Sequence, residues 1–404
     1  ILNPKNVKEL SAPAGGWDFV VDALFGTGLE RPLKSPHSDV VNRINSLRRP
    51  VYAVDLPSGL HTDTGAVLGT AVQATVTVTL GFKKRGFFVG DGPGLAGDLL
   101  VADLSLDEAW ADQVKALRLF ETQREDVTGI LPPRERTGHK GSYGHVLIVA
   151  GSPGKSGAAV LAARSALRGG SGLVTLAVPE SAHDIVKKQV VEVMTLKLPD
   201  DGNGKLGPSA LPALRAALSG KTVLLAGPGL IPHPGLTKLL SSLLKETDLP
   251  VVLDADGLNT FGTGICREKK ALGRSILTPH PGEMARLTGS TTAGVQRDRI
   301  EVAARLADRL DAVVILKGAF SVVALPSGET WLNPTGNPAM ATAGMGDVLT
   351  GLLGALLAQG ISREKAAVAG TFFHGLAGDR VAAAKGPRGI LAGDLIEELP
   401  RVLA

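Results

Sequence analysis

Residues 337–351, NPAMATAGMGDVLTG, set an acid, Asp347, just after Gly344 and Gly346 and just before the apolar run 348–357. Glycines where a loop turns into a helix leave backbone N–H groups open to an anion, with no Cβ in the way. An aspartate in that first turn is favoured as a carboxylate by the helix dipole, the state a general base needs to take a proton from a hydroxyl group. The plainer reading is a helix cap. Residues 314–324, VILKGAFSVVA, put Lys317 and Gly318 at the end of an apolar strand, placed for a phosphate or a base edge or, more simply, in a surface turn. In residues 277–287, LTPHPGEMARL, two prolines bracket His280 and Glu283 opens the next helix. A fixed imidazole there donates to a substrate amide or phosphate, or else it is a packed loop histidine. Asp254 and Asp256, in VVLDADGLN, face the same crevice or cap the following turn.

The loop AGSPGKSGAA (150–159) invites a test against the phosphate-binding loop of nucleoside triphosphatases, which needs a glycine five residues before Gly154. Val149 stands there and belongs to the strand, so this is a different glycine-rich turn. Gly227, Pro228 and Gly229 form a similar one. Each loop alone is ordinary. Together, five of them set Gly, Asp, His or Lys directly after a strand, so one crevice at the carboxyl edge of a sheet collects them.

The elements that must hold these loops alternate strand and helix, the pattern of a mostly parallel, doubly wound α/β sheet. The periodicity predicts strands at 145–150, 173–178, 222–226, 251–254, 275–277, 312–316 and 321–325, with helices near 158–168, 296–310, 346–358 and 365–381. Several strands are continuous apolar runs, as burial on both faces requires. Earlier in the chain, 19–24 and 51–55 read as buried strands with a helix near 38–47 between them, and 74–80 as a third strand. The polar stretch 121–139 marks a boundary, giving domains 1–120 and 121–404.

The chain's 404 residues exceed what one core serves, in accord with two domains. With 44% apolar and 20% charged residues it is globular, and its 51 glycines with 4% aromatics imply many tight turns and cores of Ala, Val and Leu. A net charge of +4 is too small for a nucleic-acid footprint. The one dense basic cluster, Lys83, Lys84 and Arg85, reads as a solvated turn. The single cysteine, Cys266, excludes an internal disulfide framework and fits a reducing, cytoplasmic setting. No apolar run of ~18 residues argues for a membrane span.

In their order, GHKGSYGHVLIVAGS, LLAGPGL, VVLDADGLN, ILTPHPGE, VILKGAFSVV and NPAMATAGMGDVLTG resemble the NAD(P)H-hydrate dehydratase family, the ribokinase-like half of bifunctional nicotinamide nucleotide repair proteins. The resemblance covers residues 122–404. It implies an ADP-dependent, or ATP-dependent, Mg2+-assisted dehydration of (6S)-NADH or NADPH hydrate. Lys317, Gly318, Ala319, Phe320, Ser321 and Gly346 would hold the nucleotide, and Ala158, Gly229, His280 and Asp347 the hydrate, with Asp347 as the base. Met345 stands where the family often has Thr between the two glycines.

FVVDALFGTGLERP (19–32) and VDLPSGL (54–60) resemble the epimerase half of the same proteins, a Rossmann-like α/β domain. The resemblance makes Asp22 and Ser58 potassium ligands, and Gly26, Thr27, Gly28, Leu29, Glu30, Arg31, Pro32 and Asp55 the substrate lining. The family's earlier Asn-rich motif is missing before Ile1, so an incomplete, epimerase-inactive domain is the expectation, with an exposed strand edge and apolar surface. The expected partners are a small-molecule substrate and copies of the same chain, a tetramer among the options, with neither nucleic acid nor membrane. Two other readings stand beside this one: a kinase of the same superfamily acting on a pyrimidine, thiazole or sugar alcohol, and a non-catalytic nucleotide-binding scaffold.

Overall fold

A computed structural model describes residues 17–106 and 118–404, which form two compact units parting between Leu117 and Arg118, with Gln296–Arg299 grouped with the first. In the first unit, β1 (Val20–Asp22), β2 (Val51–Val54), β3 (Val76–Leu80) and β4 (Asp98–Ala102) pair in that order, all parallel. The helix His37–Ser46 sets Val40, Val41 and Ile44 against Val51 and Val72 in a small core. Reading β1 and β2 as fully buried is corrected here. Val21, Tyr52 and Val54 are exposed, because side chains alternate across a strand and the helix covers only the face of Val51 and Ala53.

The second unit carries a ten-stranded sheet. Its strands are β5 (Leu119–Glu121), β6 (His145–Val149), β7 (Leu173–Pro179), β8 (Met194–Leu198), β9 (Val223–Ala226), β10 (Val251–Leu253), β11 (Ser275–Leu277), β12 (Val313–Leu316), β13 (Val322–Ala324) and β14 (Thr330–Leu332). Their order is β5-β14-β13-β12-β11-β10-β9-β6-β7-β8, with β13 antiparallel to both its neighbours and the other pairs parallel. The chain leaves β6 for β7 and β8 on one side and returns to β9 on the other, so the switch of direction lies between β6 and β9, where such sheets open a crevice. Every residue of β9, β10, β11 and β12 is buried, as continuous apolar runs covered on both faces must be.

The helix Met345–Ala358, which starts at the glycine-aspartate motif, buries all but two of its 14 residues. Gly351 permits this, since a Cβ there would sit 2.2 Å from the Ala162 carbonyl oxygen on the helix Ser156–Arg168. Ser165 locks the pair by donating to the carbonyl of Val348 at 2.6 Å. The single helix expected over 296–310 is two, Thr292–Arg297 and Arg299–Leu310.

Candidate functional site

The crevice is organised around a residue that sequence left undecided. Asp254, just past β10 and 1% exposed, accepts from Lys317 Nζ (2.6 Å) and Thr278 Oγ1 (2.7 Å) on one oxygen, and from Thr350 Oγ1 (2.8 Å) on the other. Four loops and helices that are far apart in sequence therefore meet at one carboxylate. Gly227, at φ +138°, is what admits it, since a Cβ there would lie 1.8 Å from the Asp254 carbonyl oxygen.

Lys317 directly follows β12, and its ammonium also stands 3.9 Å from Glu283 Oε2. Burial alone would lower its pKa, but the charges of Asp254 and Glu283 outweigh burial and hold it raised. A Cβ on Gly346 would lie 3.2 Å from that ammonium and 3.8 Å from Asp254 Oδ2, so the glycine brings the lysine against the start of the helix. Gly344 turns the chain into the helix with φ +89°. Lys317 is thus paired and largely buried, not a surface lysine. The rest of its segment, Gly318, Ala319, Phe320 and Ser321, makes the tight turn into β13, closed by Ser321 Oγ accepting from Gly318 N at 3.2 Å.

Asp347 differs from expectation. The helix dipole was to keep it ionised, yet burial, reinforced by the charge of Asp254 and only partly opposed by Lys317, pushes its pKa up to about 7. Desolvation and a like charge outweigh the dipole, and neither is visible in the local sequence.

His280 caps the helix Pro281–Thr288: its Nδ1 accepts from Gly282 N (3.0 Å) and Glu283 N (3.4 Å), and its backbone N–H donates to Glu283 Oε2 (2.8 Å). Burial, helped by Lys317 and Arg286, lowers its pKa. With Nδ1 occupied as an acceptor, the ring proton sits on Nε2, which makes His280 a neutral donor. Ala158 and Gly229 meet at the other end of the crevice, where a Cβ on Gly229 would lie 3.2 Å from Ala158 Cβ and 2.7 Å from the Lys155 carbonyl. Ser152 fixes this junction by donating to the Gly229 carbonyl at 2.7 Å. Ala158 lies one turn before Leu161, whose side chain packs on Gly344.

Sequence reasoning missed Thr278 and Thr350, and also His374. The last donates from Nε2 to the Met345 carbonyl at 2.9 Å, and burial holds it neutral with a pKa lowered to about 4. No group of three His, Cys, Asp or Glu side chains suited to a metal occurs among the described residues. With Asp254 engaged by Lys317, Thr278 and Thr350, the crevice would suit a Mg2+ carried in on bound phosphates better than one caged by the protein.

In the first unit, Ser58 donates to Asp22 through both its backbone N–H (2.8 Å) and its hydroxyl (2.7 Å), and Phe25 N donates to Ser58 Oγ at 2.9 Å. The Phe25 carbonyl lies 3.3 Å from the same hydroxyl. Burial raises the pKa of Asp22. This set of carboxylate, hydroxyl and carbonyl oxygens is of the type a hard cation takes. Residues 26–32 form a mostly exposed loop after β1, and Asp55 Oδ2 lies 3.6 Å from where a Gly26 Cβ would be. The reading of 83–85 as a solvated turn is corrected at Lys84, which is 13% exposed, ion-paired with Asp55 and bonded to Thr79 Oγ1 at 2.8 Å. Burial works to raise Asp55, and the bonds it accepts from Lys84 and from the Leu80 N–H bring it below its ordinary value.

Two family models match: NAD(P)H-hydrate dehydratase over residues 146–401, and YjeF-related protein N-terminus over residues 2–86. The bifunctional NAD(P)H-hydrate repair enzyme Nnr of Moorella thermoacetica is 46% identical over 391 residues, 96% of this chain and 73% of that protein. The Escherichia coli protein of the same name is 36% identical, over 96% of this chain and 72% of its own length. Among solved structures, the Bacillus subtilis ADP/ATP-dependent NAD(P)H-hydrate dehydratase, co-crystallised with ATP/Mg2+, superposes with TM-score 0.61 at 31% identity, covering 71% of this chain and 98% of that one.

Proposed function

The chain belongs to the bifunctional NAD(P)H-hydrate repair enzymes, and from that premise we propose how its residues divide the work. The chain is a repair enzyme for hydrated nicotinamide dinucleotides, and its second unit, from Arg118, is the nucleotide-dependent dehydratase. The observation that carries the residue assignment is Asp347, set at a glycine-lined helix start beside a lysine that Asp254 holds in place.

Asp347, with a pKa near 7, takes the proton of the ring hydroxyl. The freed oxygen attacks the terminal phosphoryl group of ADP or ATP, and the shortened nucleotide departs. Lys317 and the N–H groups around Gly346 receive the charge on the phosphate. A Mg2+ carried in with the nucleotide would add further charge neutralisation beside Lys317. The C–O bond then breaks as the ring nitrogen's lone pair delocalises, phosphate leaves, and loss of the neighbouring C–H proton restores the double bond. Gly318, Ala319, Phe320 and Ser321 would border the nucleotide, while Ala158, Gly229 and His280 would border the hydrate. His280 offers its Nε2 proton to an acceptor on the substrate.

For the first unit we propose a more limited role: Asp22, Ser58 and the Phe25 carbonyl are the groups that would hold K+ in an NAD(P)H-hydrate epimerase site, and residues 26–32 with Asp55 are those that would line its substrate. A homo-oligomer and a cytoplasmic location belong to the same proposal and rest on family membership. No described helix is long and apolar enough to cross a membrane.

The test is to supply hydrated NADH with ADP or ATP and Mg2+. Return of the reduced-nicotinamide absorbance with release of phosphate supports dehydration, whereas a stable phosphorylated alcohol would assign a kinase. Because a base must be unprotonated, kcat/KM should fall about tenfold per pH unit below about pH 7, following the pKa of Asp347. A flat profile between pH 5 and 7 would remove Asp347 from that role.

A further inference from the structure

The dehydratase reading leaves unexplained what tells a dinucleotide from a smaller alcohol. Beyond Asp256, at Asn259, lies a shallow cavity of about 480 Å3, open on its outer side. Pro232, His233, Pro234, Asn259 and Thr260 line it, and Lys238 adds a cation. His233 is spent on the fold, since Nδ1 accepts from Gly235 N at 3.1 Å and Nε2 bonds the Leu206 carbonyl at 2.9 Å. It therefore offers ring and proline surface, not a titrating group.

A polar chain joins the cavity to the crevice. Lys155 pairs with Asp256 at 2.9 Å, and Asn259 Nδ2 donates to the other oxygen of Asp256 at 3.1 Å. Asn259 Oδ1 then accepts from Arg286 Nε at 2.9 Å. That one bond aims the guanidinium. Its Nη1 lies 4.0 Å from where a Gly282 Cβ would be, in the turn that His280 caps, and its charge contributes to lowering the His280 pKa. Arg286 is exposed, and among the described residues it has no carboxylate partner and its two terminal nitrogens make no hydrogen bond. A fixed guanidinium with its fork open is suited to bidentate phosphate recognition.

We propose that Arg286, aimed by Asn259, reads the diphosphate bridge of the hydrated dinucleotide, and that the neighbouring cavity takes the adenosine half. This rests on the dehydratase reading and assigns the end of the substrate remote from the chemistry. The nucleotide cosubstrate also carries a diphosphate, but the cavity is walled by the loop after β9, which carries Gly229, and not by the Lys317–Ser321 turn. Geometry therefore favours the dinucleotide.

Three KM values test it in wild type, Arg286→Ala and Arg286→Lys: those for hydrated NADH, for hydrated reduced nicotinamide riboside, which lacks both phosphates, and for ADP. Arg286→Ala should raise KM for hydrated NADH about tenfold, with kcat within about twofold and the riboside and ADP values unmoved. Arg286→Lys should recover part of the loss, as a point charge without the fork. A rise in the ADP value, an equal rise for the riboside, or no change would overturn the proposal. Since Arg286 is exposed, folding is not at stake, and an unchanged melting curve verifies that. Wild-type turnover is measured first. Its absence would sink the functional reading, whereas turnover indifferent to Arg286 sinks only this inference.

Discussion

Replacement of Asp347 by Asn is expected to lower kcat by about 10³-fold, near the middle of what a positioned general base contributes, while nucleotide binding persists. The amide fills nearly the same volume and cannot accept the hydroxyl proton. Stability should move the other way. The carboxyl of Asp347 has a folded pKa raised from 3.8 to about 7, so its contribution is fully present below pH 3.8 and is lost as pH rises through 7. At pH 8 wild type carries a buried carboxylate beside Asp254, and the Asn variant does not. Relative to wild type, the variant should therefore melt higher at pH 8 than at pH 5. Thermal melts at the two pH values, with single-turnover rates, check both halves. An inactive variant that is also unfolded would assign the residue to the fold instead.

The second large effect is expected at Asp254. Asp254→Ala leaves the Lys317 ammonium, 19% exposed, without its closest counter-charge and removes the acceptor of Thr278 and Thr350. Breaking a buried pair from one side costs about 3–5 kcal/mol, and urea denaturation reads it directly. Asp254→Asn is the milder probe, because it retains a carbonyl acceptor while deleting the charge. Deleting that charge removes one of the two causes that raise Asp347, so the acid limb of the rate profile should move to lower pH. A limb that stays in place would mean that Asp254 does not act on the base.

Much of the second unit was legible because its parallel strands are covered on both faces and so read as uninterrupted apolar runs: β11 lies where expected, and β6, β7, β9, β10, β12 and β13 within a residue or so. The missed strands β5, β8 and β14 carry Glu121, Lys197 and Thr330 and so are not continuous apolar runs. What makes β5 a strand is its pairing with β14, across some two hundred residues, which no local pattern encodes. The same distinction holds at the site. Asp347, Lys317 and His280 were visible because glycines and prolines mark the turns that present them. Asp254 as a hub was not, because its partners stand at 278, 317 and 350. The protonation of Asp347 came out opposite to expectation for that reason: a dipole is local and legible, whereas burial and a second carboxylate come from the tertiary fold. Lys84 was misread in the same way, its carboxylate partner Asp55 lying on another loop.

In this mechanism the substrate's own hydroxyl oxygen, freed by Asp347, attacks the nucleotide. Heavy oxygen placed in the ring hydroxyl of hydrated NADH follows that atom through a single turnover. The account predicts that the label appears in the released inorganic phosphate. Label recovered in water, with unlabelled phosphate, would mean that nucleotide hydrolysis and dehydration proceed separately, and would contradict it.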